Sequence, residues 1–515
     1  MFLISSALHA ALASLHLLPI LSLSSLALLI LWHYLSYRPL SHIPGPFLAK
    51  FTNLYKIYAW STARQAHVYG ALPAKFSSSL IRIAPQELLS SDPDFIRQMN
   101  SARTEYARSS WYTPLRLDPW GENLFVCTSN TTHTALRAKL ANGYNAKEVP
   151  SLESDIEHII SKLVSYIRKR CISEPRGPTR KVDFARISQF FTLDVITRVA
   201  YGKEFGYLDR NEDMFDWIRT INDQAAWLGI MSDWPVVGKI LTNKHVLAVV
   251  GPEKKSGGGV GGIMKMAEEI VAERFAPGAE KDRKDMLGAF VRHGVTQREC
   301  EVEVPFQIVA GSDTTAVAVR GVVLYLAACR RVYLRLQKEI DDGVREGRIS
   351  SPVKNEEGKR LELLQAVIYE TLRIQPPIMA LLLKQVPPQG DYINGQFIPG
   401  GTRVGQNAWA IMQDKALFGE DADVFRPERW LEVDPMTKRK MADTVEMIFG
   451  YGRWVCLGKP MAFMELNKVI VELLRRFDFE IADPKSRMRE KEYGLLIQSG
   501  QWMRITERFP ENREE

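Results

Sequence analysis

Cysteine is scarce in this chain and unpaired. The five cysteines, at 127, 171, 300, 329 and 456, are odd in number, scattered, and form no C-x-x-C pair. That excludes a disulfide framework and a structural zinc module, and places most of the chain in a reducing compartment. There is no internal repeat and no long low-complexity tract, so solenoid architectures are excluded. No nucleotide-binding fingerprint is present either. Charge is missing from one region altogether: residues 1–37 contain no Asp, Glu, Lys or Arg.

That uncharged region includes "LLPILSLSSLALLILWHYL", residues 17–35, which is nearly continuous apolar sequence. At about 1.5 Å per residue, roughly 20 residues span a bilayer core. Trp32 and Tyr34 sit near one end, where interfacial aromatics belong. Arg38 and then Lys50 are the first basic residues and follow the segment, which leaves the large remainder in the cytosol. The alternative, a cleaved signal peptide, lacks a basic n-region and a small-residue cleavage site. Residues 1–37 are therefore expected to form a single-pass membrane anchor, shortened or kinked at Pro19. "RPLSHIPGPF", residues 38–47, follows as a stiff proline-rich spacer.

The full chain has 515 residues, a net charge of +7 and 46% hydrophobic residues, enough to bury a sizeable core. The basic balance suits a nucleic acid, an anionic membrane or an acidic protein partner, and by itself does not choose among them. Residues 80–91 alternate as a strand does. From about 130 to 345 the period is mostly helical, interrupted at 255–262 and 277–285; a second helical block ends near 374. Residues 386–404 read as short strands with turns. The local structure of residues 69–85 is not settled by pattern. The expectation is a mainly α domain with a small β portion over residues 38–515.

"FGYGRWVCLGKPMA", residues 449–462, places Cys456 in a glycine-rich loop just before a helix expected over 460–476, with Pro460 in its first turn. A lone intracellular cysteine is most often a small buried hydrophobe. Here the helix N-terminus favours a thiolate. A thiolate in so open a loop suits a metal ligand or a nucleophile. No neighbouring His or Cys completes a zinc site. A single-thiolate iron site, with a porphyrin supplying four nitrogens, needs only this one protein ligand.

The loop resembles the heme-binding loop of the cytochrome P-450 family, F-x-x-G-x-R-x-C-x-G, with Phe449, Gly452, Cys456 and Gly458 in place. One position departs: the usual Arg, which binds a heme propionate, is Trp454, and Arg453 stands one place earlier as its candidate replacement. "IVAGSDTTAVAV", residues 308–319, lies in an apolar helix expected over about 300–329. Its Gly311, Asp313, Thr314 and Thr315 are poor helix formers for an interior. They read either as a small-residue packing contact or as a helix loosened to admit a ligand. The segment resembles the family's oxygen-activation motif, which implies that Asp313 and Thr314 manage protons.

"YETLRIQPP", residues 369–377, resembles the family's E-x-x-R helix through Glu370 and Arg373, and "FRPERW", residues 425–430, its P-E-R motif. Together they imply a structural network of Glu370, Arg373 and Arg429. His133 and Arg137, on a helix over 132–140, and Lys384 match family positions that face the heme propionates. The resemblance runs from the proline spacer to about residue 500, with the motifs in family order. It implies a cytochrome P-450 fold behind an N-terminal transmembrane helix. The implied activity is a heme-thiolate monooxygenase of the membrane-bound fungal type, inserting one oxygen atom from dioxygen into a lipophilic small molecule of secondary metabolism. The implied cofactor is heme b held by Cys456. The chain has no length to spare for a flavin domain, so electrons are expected from NADPH through a partner reductase in the endoplasmic reticulum membrane. No nucleic acid is expected.

Two rivals stand beside this reading. One is a heme-thiolate isomerase or dehydratase that uses no dioxygen; the other is a membrane-anchored heme- or lipid-binding protein without turnover. Consumption of NADPH and dioxygen separates the first, and the spectrum of the reduced, CO-treated protein separates a protein without the thiolate site. Substrate choice is expected from residues 109–125, 205–265 and 378–383, whose apolar character names no scaffold.

Overall fold

The computed structural model describes residues 23–25, 27–28, 31, 34–35, 37–144, 146–174, 179–250, 259–280 and 283–509. Most of the expected membrane anchor, residues 1–37, lies outside the described residues, as do residues 251–258 of the glycine-rich interruption and 281–282 of the next.

Helices dominate. In chain order, those that build the site are α1 (Asn130–Leu140), α2 (Phe184–Tyr201), α3 (Trp217–Asp233), α4 (Gln297–Ala328), α5 (Glu362–Ile374) and α6 (Lys459–Leu474). α2 is buried on nearly every face, as a helix without a polar stripe must be. α4 opens on a capping box in which Thr296 and Glu299 satisfy each other's backbone N–H groups. It is the one described helix long and apolar enough to cross a membrane, but it is mostly buried in protein and is the core helix.

The rule-breaking stretch of α4 does not loosen the helix: α-helix is continuous from Gln297 to Ala328. The packing reading explains the glycine. A Cβ on Gly311 would lie 2.8 Å from the Ile196 side chain, so Gly311 lets α4 and α2 approach closely.

The small β portion contains a five-stranded sheet. β1 (Leu80–Ala84) and β2 (Glu87–Ser90) form an antiparallel hairpin, so the expected strand over 80–91 is two strands turning at Pro85 and Gln86. Ahead of it, residues 65–76 form two short helices. β2 runs parallel to β5 (Arg403–Gln406), which pairs with β4 (Lys384–Gln385), which in turn pairs with β3 (Ala107–Arg108). In that last ladder Arg108 stands directly opposite Lys384. Like charges facing each other across a ladder are destabilising, which marks this sheet edge as built to meet an anion.

Candidate heme-thiolate active site

α4, α1, the loop before α6 and the β3–β4 edge enclose one large cavity lined by Cys456, Phe449, Trp454, Arg137, His133 and Thr314, among others. Cys456 presents open surface to it. The loop is held shut from within. The Cys456 N–H donates to the Phe449 carbonyl at 2.6 Å, and Gly450 takes a left-handed φ of 77° where a Cβ would strike the Trp454 carbonyl at 2.5 Å. Burial pushes the Cys456 thiol up, while the N–H groups of Gly458 and Lys459 and the charges of Arg137 and Lys459 favour the thiolate. The helix N-terminus thus acts as the sequence implied, against a larger desolvation cost.

Basic side chains crowd one edge of the cavity. Arg108 and Lys384, brought together by the β3–β4 register, lie over the ring of Trp454 at 4.5 and 4.1 Å. His133 packs on the same indole at 4.4 Å. Among the described residues Lys384 finds only the Tyr112 hydroxyl, at 3.3 Å, and burial with the Arg108 charge drives its pKa well below the usual lysine range. Burial and the cations Arg108, Arg137, Lys384 and Arg453 push His133 down to about 3, so it is neutral. Three buried nitrogens here have no hydrogen-bond partner among the described residues: Arg108 Nε, His133 Nδ1 and Trp454 Nε1. Buried polar groups without partners are uncommon.

A porphyrin bearing two carboxylates fits this donor set. Arg108, Lys384 and Arg137 would meet the carboxylates, the two unpartnered ring nitrogens would complete the contacts, and Cys456 would face the metal. Among the described residues, no group of three or more His, Cys, Asp or Glu side chains could hold a metal ion.

Trp454 therefore does not leave a gap where the family has an arginine; it supplies an aromatic platform for cations contributed by other strands. Arg453 does not take over the missing contact. Its guanidinium donates to the Ala102 carbonyl at 2.8 Å, at the surface, and it does not line the cavity. The expectation for Arg453 is corrected on that ground: Trp454 to Gly458 line the cavity, and Arg453 does not. Arg108 and Tyr112 went unnoticed in the sequence, because only a pairing across more than 250 residues brings Arg108 to Lys384.

Arg137 spans two tasks, donating to the Val455 carbonyl at 2.7 Å while lining the cavity. Thr314 also lines it, its hydroxyl donating back to the Ala310 carbonyl at 2.8 Å. Asp313 does not line it. Its carboxylate turns toward α2, accepting from Gln189 Nε2 at 2.8 Å. Burial pushes it up to about 6, with the Arg320 charge and the Gln189 bond pulling the other way. Gln189 in turn accepts from Arg320.

Glu370 and Arg373 are not the exposed helix pair that their spacing alone would suggest. Both are fully buried and joined by two bonds of 3.0 and 2.8 Å. Arg429 Nε and Trp430 Nε1 each donate to Glu370 at 2.9 Å. Burial would raise the Glu370 carboxyl, but Arg373 and Arg429 hold it below the usual carboxylate range.

The cytochrome P450 family profile matches residues 87–503. Cytochrome P450 monooxygenase ABA1 of Pyricularia oryzae (strain 70-15) is 43% identical over 482 residues, covering 92% of this chain and 94% of its own. Cytochrome P450 monooxygenase aba1 of Botryotinia fuckeliana (strain B05.10) is 39% identical, covering 91% and 92%. Among solved structures, the cytochrome P450DA heme domain superposes with a TM-score of 0.73 at 17% identity, over 92% of this chain and 99% of that one, a likeness of fold. With the cysteine loop, the cation edge and the core helix in one cavity, the chain belongs to the cytochrome P450 family and is a cytochrome P450 monooxygenase that works with heme iron.

Proposed function

We propose that residues 38–515 form a catalytic domain held by residues 1–37 on the cytosolic side of the endoplasmic reticulum membrane. The domain would oxidise a lipophilic small molecule of fungal secondary metabolism with electrons from NADPH through a separate reductase. The observation that carries the reading is Cys456 on the same cavity as Thr314, with the basic side chains Arg108, Lys384 and Arg137 at its edge. When bound, heme supplies the redox-active iron that activates dioxygen, with Cys456 as its thiolate ligand. Arg137, Lys384, His133 and Arg108 would hold it by its propionates, and Phe449 would pack against it.

Thr314 holds a proton at Oγ1 on the cavity wall, its orientation set by the Ala310 carbonyl. Asp313, on the far side of α4, exchanges protons with solvent and passes them toward Thr314; Gln189 and Arg320 fix its carboxylate. The apolar wall, including Phe290, Phe306 and Leu382, excludes water and suits a lipophilic substrate. Relatives in fungi that are cytochrome P450 monooxygenases support the assignment to such metabolism. Membrane contact gains support from the exposed apolar residues Phe47, Leu48, Leu54 and Tyr58, which follow the anchor, and from Trp234, Val236 and Ile240 after α3; Trp234 and Leu54 line one shallow surface hollow. The net charge of +7 suits docking to an acidic flavoprotein.

The test is turnover of the purified protein with a fungal reductase and an extract of candidate metabolites. Substrate-dependent consumption of both NADPH and dioxygen is expected. Conversion of a metabolite without either would instead identify the isomerase or dehydratase chemistry.

A further inference from the structure

Much of the cavity wall is apolar, and Glu303 is the one carboxyl among the residues that line it. Glu303, on α4, lines the cavity and is 6% exposed. One of its carboxyl oxygens accepts the Leu124 N–H. The carbonyl of the same Leu124 accepts Arg108 Nη1 at 2.5 Å. Residues 109–125, the stretch expected to choose the substrate, are thus pinned to α4 at this point. Among the described residues the Leu124 N–H is the one hydrogen-bond partner of this carboxyl, which leaves its other oxygen open to the cavity. Its polar neighbour one turn along, Gln307, is already engaged by the Tyr201 hydroxyl at 3.2 Å. A carboxyl set in an apolar wall with a free oxygen is costly unless a ligand pairs with it.

Burial pushes the Glu303 carboxyl up to about 8, while the Leu124 bond and the Arg108 charge pull it down and Glu299 adds to the rise. Near neutrality the group therefore carries a proton and both donates and accepts. Its position on the helix gives a length. Glu303, Gln307, Ala310, Gly311 and Thr314 all line the cavity from one face of α4. From Glu303 to Thr314 is about 16 Å along the axis at about 1.5 Å per residue.

We infer that Glu303 is the substrate's polar anchor. The cavity takes an elongated lipophilic molecule with a hydroxyl, carbonyl or carboxyl group at one end, held at Glu303, and presents a carbon about 15 Å away beside Thr314. This rests on the monooxygenase reading given above. A purely structural role, pinning Leu124, is the competing explanation for the same carboxyl.

The test uses the heme-loaded full chain and substrate-type optical titrations with three probes of about matching length: 1-dodecanol, dodecanoic acid and dodecane. The two oxygen-ended probes are expected to bind about ten-fold tighter than dodecane, as a hydrogen bond to a buried partner allows. Glu303→Leu should erase that preference and leave dodecane binding unchanged. Glu303→Gln, which keeps an acceptor for Leu124, should retain part of it. Equal binding of all three probes by the unsubstituted protein would overturn the inference, as would Glu303→Leu weakening all three alike. The reduced, CO-treated spectrum of each sample separates the two levels. Loss of the thiolate-type Soret band in the unsubstituted protein overturns both the inference and the reading beneath it. A normal band without probe discrimination overturns only the role of Glu303.

Discussion

At the scale of single residues, Trp454 carries the clearest consequence. Its indole separates and supports Arg108 and Lys384, which would otherwise face each other across a ladder with no acid between them. Desolvated cation–π contacts are worth up to about 2 kcal/mol each. Trp454→Leu is therefore expected to speed heme loss several-fold, read as transfer to apomyoglobin; an unchanged rate would show that the indole does not organise the cation edge. Asp313 makes a second prediction, and its sign follows from its environment. Its folded pKa of about 6 lies above the ordinary 3.8, so over that interval the folded state holds more protons. Stability then falls as pH rises from about 4 to about 6 and stays reduced above. Asp313→Asn removes that cost, so its melting temperature relative to the parent should rise across this window. A difference independent of pH would mean that Asp313 is not burdened by burial. Cys456 and Thr314 were legible in the sequence because each belongs to a local pattern. Arg108 and Glu303 were not, because their meaning comes from partners distant in the chain.

At the scale of elements, α4 and α2 set the floor on which the cavity rests. The tight approach at Gly311 predicts that Gly311→Ala will destabilise the protein by about 1–3 kcal/mol, the usual cost of overpacking. Ile196→Ala should restore part of that loss, because Ile196 supplies the clashing atoms. Denaturant unfolding of the two single variants and the double would read this, and strict additivity would contradict the contact. The helical period announced α4 within a few residues of its ends, but not that its glycine and threonines sit in unbroken helix. Propensity scores a residue alone, whereas here α2 packs against the helix over this stretch. Among the described residues the Thr314 hydroxyl has one partner, the Ala310 carbonyl to which it donates, and it lines the cavity. Thr314→Ala is expected to bind heme normally and consume NADPH at a comparable rate. It should release more hydrogen peroxide and less product, by about ten-fold or more. Product yield per NADPH equal to the parent's would count against a proton role for this helix.

At the scale of the whole molecule, the mainly helical architecture and the placement of the cysteine loop before α6 were readable from periodicity and motif. The five-stranded sheet was not, since its two-residue strands Ala107–Arg108 and Lys384–Gln385 are too short for any alternation to register. That sheet nonetheless delivers the cations, so the site is assembled by the least legible part of the fold. The proposed membrane attachment has two parts, the segment 1–37 and the apolar surface around Trp234, Val236 and Ile240. Deleting residues 1–37 should release only part of the protein from microsomes, and adding Trp234→Asp with Ile240→Asp should release most of the remainder. Full release by the deletion alone would remove the second contact.

The account depends on Cys456 as the single thiolate facing that cavity, and the absorbance spectrum of the reduced, CO-treated protein tests this most directly. The parent is expected to show the red-shifted Soret band of a thiolate-ligated heme. Cys456→Ser should lose that band while Cys127→Ser, Cys171→Ser, Cys300→Ser and Cys329→Ser keep it. A thiolate-type band that survives in Cys456→Ser at normal heme content would contradict the assignment.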